Sequence, residues 1–127
     1  MKFDRPLQIG AVGGHGPVRY AIVAYEPGIR VDFKFIGPRG FDGGHRFEVM
    51  AQGQGSKLIH TLEMHPTGFA RLTWPLVFRP LHDALVEDAL TKAQRHVGES
   101  PMSVPWSPWV RLLRFVLAPR SKRRSDA

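Results

Sequence analysis

The sequence predicts an α+β fold, with about five antiparallel strands followed by one long helix near the C-terminus. Three observations predict it. Several short runs between residues 7 and 65 are strand-like, and the later ones alternate apolar with polar residues. Gly- and Pro-rich loops of a few residues separate these runs, which favours an antiparallel meander. From Phe78 onward, Phe78, Leu81, His82, Leu85, Val86, Ala89, Ala93 and Val97 recur at spacings of three and four, the repeat of one broad helical face.

Leu7 to Val12 is a short apolar run bounded by Pro6 and Gly13, and it reads as the first strand. The segment from Gly13 to Pro17 reads as a turn. Its glycines resemble a phosphate loop, but such a loop must open a helix and the residues that follow are strand-like. Val18 to Glu26 is β-branched and aromatic, and Pro27-Gly28 turns the chain. Ile29 to Ile36 places Ile29, Val31, Phe33 and Phe35 on one face and Arg30, Asp32 and Lys34 on the other. After the Gly37–Gly40 loop, Phe41 to Gln52 is the next strand, with Gly43-Gly44 read as a bulge. Ser56 to His65 sets Leu58, His60, Leu62 and Met64 inward, with Ile59 breaking the pattern.

The helix is expected within Phe69–Val97, with Thr67 as N-cap and Gly98 as stop. Pro75 and Pro80 each remove a backbone donor, so a kink or a start delayed to Pro80 is expected. Asp88 and Lys92 stand four apart in the favourable order for an ion pair, and Asp83, Glu87 and Asp88 read as a solvated face. Residues 98–107 are a Pro-rich linker. Ser107 then suits an N-cap, Pro108 a first helical position and Pro119 a stop. The chain therefore divides into a domain at 1–97 and a linker with a basic amphipathic tail at 98–127.

Composition narrows the function classes. A hydrophobic content of 43% over 127 residues suits one core. The absence of cysteine excludes disulfides and thiolate metal sites. The N-terminal residues lack a signal peptide's apolar run, and no stretch reaches the length of a membrane span, so a cytoplasmic protein is expected. The net charge of +7 points to an anionic partner. Charge is denser in the tail: residues 98–127 hold six Lys/Arg and two Asp/Glu, against twelve and nine in the first 97. A nucleic-acid partner is not expected, because the basic cluster is short and lacks a stacking platform.

The words FDGGHRFEV, LIHTLEM and LTWPLVFRPLHDALVEDAL, together with hairpins leading into a long helix, resemble the SRPBCC superfamily. These are the START-like, polyketide cyclase/dehydrase and lipid-transport proteins, and the likeness is to their small, actinobacterial-type members. It covers residues 6 to 97 and implies a helix-grip architecture: a curved antiparallel sheet wrapped around the helix, with an apolar cavity between them. Members of the superfamily usually open with a further strand and two short helices, which this sequence lacks. One wall of the pocket would then be open, and the bare sheet edge would favour a homodimer. The superfamily shares no catalytic signature, so no catalytic residue carries over.

Within that architecture, alternation assigns the cavity lining to Val31, Phe33, Phe35, His45, Phe47, Val49, Leu58, His60, Leu62 and Met64 of the sheet and Phe78, His82, Leu85 and Ala89 of the helix. The alternative is that these residues simply fill a core. His45, His60 and His82 all face inward. Three imidazoles suit zinc ligation or general acid–base work, but their spacing matches no metal motif, so no metal and no cofactor is expected. Orienting a ligand is the expected role. Trp106, Trp109, Leu112, Leu113, Arg120, Lys122, Arg123 and Arg124 suit contact with an anionic membrane surface or with a protein partner, which would make the protein peripheral to the membrane. The expected function is binding of an apolar or aromatic, lipid- or polyketide-like small molecule. The alternatives are a cyclase or dehydratase using one inward histidine, and a membrane-surface or partner-binding protein acting through its tail.

Overall fold

A computed structural model describes residues 2–118. It is an α+β structure of two compact units that divide between Trp74 and Pro75.

The first unit is an antiparallel sheet in which every strand pairs with its neighbours in the chain. The strands are β1 (Lys2–Phe3), β2 (Val12–His15), β3 (Val18–Glu26), β4 (Arg30–Gly37), β5 (Phe41–Gln52) and β6 (Gly55–Pro66). Six strands replace the expected five, because Lys2 and Phe3 pair with Gly14 and Gly13 at the edge. The expected strand at Leu7–Val12 is displaced. Leu7 and Ile9 are exposed, and pairing begins at Val12. Gly13 and Gly14 belong to β2, which narrows the turn to Gly16-Pro17 between the paired His15 and Val18.

No bulge interrupts the β5–β6 ladder at Gly43-Gly44, where both residues keep one register, and the ladder with β4 ends at the Lys34–Gly44 pair. The glycines serve close approach instead. A Cβ on Gly43 would lie 2.1 Å from the Glu63 carbonyl oxygen, and one on Gly44 would lie 2.2 Å from that of Phe33. The register shifts fall between β3 and β4, at Arg19/Tyr20 and at Ile22/Ala24. Each places an extra residue in one strand and turns the following side chains.

One face of the sheet carries the core of this unit. The cross-strand pairs Tyr20–Phe35, Ile22–Phe33, Phe33–His45 and His45–Leu62 put these side chains on a common side. Tyr20, Ile22, Phe33, Phe35, Phe41 and His45 are buried there. The turn after β6 is closed by the Thr67 amide donating to the Gly40 carbonyl. The chain then enters the short helix α1 (Ala70–Thr73), whose N-cap position is Phe69 and not Thr67. Trp74 packs edge-on against Phe35 and Phe41, with centroids 6.2 and 5.2 Å away.

Helix α1 runs into a π-helical turn at Trp74–Phe78, and α2 (Arg79–His96) follows with Pro80 at its start. Of the two expected effects the irregularity is the one seen: helix begins at Ala70, is π-helical around Pro75 and is α-helical again from Arg79, so the start is not delayed to Pro80. Gly98 ends α2 as expected, with φ 88°. Its amide donates to the Arg95 carbonyl and that of Glu99 to the Gln94 carbonyl, a Schellman pair that satisfies two terminal acceptors.

The second unit joins α2 to α3 (Pro108–Leu117), where the Ser107 hydroxyl accepts from the Val110 amide at 3.2 Å. Asp88 does not serve Lys92. It accepts from the Trp106 indole at 3.2 Å and faces the Arg114 guanidinium at 4.0 Å, and Arg114 stacks on Trp106 at 3.7 Å. The Trp109 indole donates to the Leu76 carbonyl at 2.8 Å. In a regular helix that carbonyl would take the amide of residue 80, which is a proline. No helix among the described residues is long and apolar enough to cross a membrane.

Candidate functional site

The ring-lined face of the sheet is the best-defined candidate. Its centre is His45, 5% exposed, stacked on Phe33 at 4.6 Å and on Phe35 at 5.4 Å. Tyr20 meets His45 and Phe33 edge-on at 5.0 and 5.4 Å. Phe3, on the edge strand, stacks on Phe33 at 5.9 Å and meets Tyr20 edge-on at 6.0 Å. Pairs of this kind contribute about 0.5–1.5 kcal/mol each beyond burial.

Three polar groups sit in this apolar setting. His60 Nε2 lies 3.3 Å from His45 Nδ1, so one ring donates and the other accepts. Tyr20 is 2% exposed, and its hydroxyl makes no hydrogen bond to any described residue. Burial pushes its pKa up, so the phenol is a neutral donor throughout the ordinary pH range.

The expected lining divides in two. In the sheet, Phe33, Phe35 and His45 are buried, and Val31, Phe47, His60, Leu62 and Met64 are half-buried. Val49 and Leu58 are corrections, at 41% and 37% exposed. They pair with each other where the β5–β6 hairpin runs past the end of β4, whose last partner in β5 is Glu48. In the second unit Phe78, His82 and Leu85 are half-buried, and Ala89 is exposed. Periodicity assigns the angle around a helix axis, not how far along that axis the cover extends. Burial lowers the pKa of His82, and Asp83, 3.4 Å away, partly offsets this.

Tyr20, Phe3, Phe41 and Trp74 belong to the cluster and were not expected in it. Tyr20 was legible in principle, two residues before Ile22, but the Val18–Glu26 run carries no clean alternation. The sheet's other face bears a groove of about 280 Å³ bordered by Asp32, Lys34, Arg46, Thr61 and Glu63.

Among the tail candidates, Leu113 is a correction: it is 8% exposed and turned inward. Trp106 is bound to Asp88 and covered by Arg114. Trp109 and Leu112 are about half exposed, at 47% and 50%. Arg120, Lys122, Arg123 and Arg124 lie outside the described residues.

No family model matches this chain, and neither any curated protein nor any solved structure does.

Proposed function

We propose that the ring-lined face of the sheet binds a planar apolar or aromatic molecule that carries a hydrogen-bond acceptor. The observation that carries this reading is the Tyr20 hydroxyl, buried among rings with no protein partner among the described residues. A buried donor left unmade costs about 1–3 kcal/mol, which a ligand acceptor would recover. Rings at stacking distance would supply affinity through apolar burial. The proposed entry is beside β1, a two-residue strand that holds Phe3 against Tyr20 and Phe33.

The test is calorimetric titration of the full chain with planar hydroxy- and keto-aromatics, alongside Tyr20→Phe. Binding about five-fold weaker in the variant is expected, the equivalent of one neutral hydrogen bond. Equal affinity in the variant, or no binding by any compound, would overturn the reading. The His45–His60 contact favours a second reading, a cyclase or dehydratase in which this pair moves a proton. It predicts a bound ketone converted to a product of altered mass, with conversion lost in His60→Gln.

A further inference from the structure

We propose that α3 docks on an anionic lipid bilayer through the side turned away from α2. Leu112, Phe115 and Val116 are 50%, 82% and 66% exposed. At 100° per residue these three fall within about 100° of the helix circumference. The buried Val110 and Leu113 lie outside this arc. Indole and guanidinium bonds from Trp106, Trp109 and Arg114 tie the same helix to α2 and to the Leu76 carbonyl. The outward apolar arc is therefore presented by a helix fixed from behind.

Charge selects the occupant. Exposed Arg111 borders the arc, and Arg120, Lys122, Arg123 and Arg124 follow in the sequence, with no acidic residue between Pro108 and Ser125. Apolar and aromatic side chains flanked by cations suit the boundary between acyl chains and anionic headgroups. A nucleic acid would leave Phe115 and Leu112 in water.

The test is flotation of the full chain with phosphatidylcholine vesicles, with and without phosphatidylserine. Binding is expected only with the anionic lipid, falling several-fold on raising salt to about 0.5 M. Phe115→Glu/Val116→Glu should reduce binding about ten-fold or more while melting stays unchanged, since both residues are exposed. Arg123→Glu/Arg124→Glu tests the electrostatic part and should also weaken binding. A folded chain that ignores anionic vesicles would overturn the proposal, as would a Phe115→Glu/Val116→Glu variant that binds like the parent. A stable dimer abolished by that variant would assign the arc to self-association instead.

Discussion

His82 shows how one buried imidazole makes stability depend on pH. Burial disfavours its charged form, so its pKa in the folded chain lies below the ordinary value of 6.5. The unfolded chain then binds the proton more readily. Stability is fully present above about pH 6.5 and is lost as the pH falls below it. Asp83 acts in the opposite sense and reduces the slope without reversing it. His82→Gln keeps a polar side chain of similar length and removes the titration. Thermal melts between pH 5 and 8 should show a midpoint that drops on acidification in the parent and drops less in the variant. Equal slopes would assign the acid sensitivity to other groups. Tyr20 poses the complementary case, a buried neutral donor whose unmet hydrogen bond ties a residue-scale cost to ligand binding.

At the scale of the element, α3 is held by bonds that compensate for proline. Pro80 has no backbone N–H to donate to the Leu76 carbonyl, and the Trp109 indole N–H donates to it from 33 positions away. Trp109→Phe removes that donor and should lower unfolding free energy by about 1 kcal/mol in urea titrations. Pro80→Ala restores a local amide, so in that background the cost of Trp109→Phe should shrink. Additive effects would show that the indole bond does not depend on the missing amide. Such coupling explains what could be read from the sequence. β4 to β6 and the body of α2 follow local rules: residues alternate or recur at three and four, and Gly or Pro ends each run. Ser107 and Pro108 announce α3 in the same way. The two-residue β1 has no local signature, since its existence depends on pairing with Gly13 and Gly14. The register shifts in β3 and β4 are likewise products of pairing, and they concealed Tyr20. The candidate site was thus half legible: Phe33, Phe35, His45 and His60 followed alternation, whereas Phe3 and Tyr20 required the register.

For the molecule as a whole, the chain-order sheet implies graded local stability. β3, β4 and β5 are paired on both sides, whereas β1 is a two-residue edge and the β5–β6 hairpin stands beyond β4 after Val49. Buried rings cluster around Tyr20, Phe33, Phe35 and His45 and extend to Phe41 and Trp74. Opening free energies should follow that order, because solvent-exposed ladders with few apolar contacts open locally. Hydrogen exchange resolved by peptide fragments should find the slowest amides in β3 to β5 near Ile22 and Phe33, and the fastest strand amides in β1 and in residues 51–57. Protection of β1 equal to that of β4 would show that the edge is held by more than its two pairs. The same experiment bears on ligand entry. Phe3 covers Tyr20, and the adjoining Asp4 amide donates to the Val12 carbonyl at 2.9 Å while the Asp4 carboxylate accepts from the Val12 amide. A ligand that enters beneath Phe3 must disturb those bonds, so saturation with it should change exchange at Phe3, Asp4 and Val12 more than in β6. Unchanged protection at these three residues with ligand bound would place the entry elsewhere on the ring-lined face.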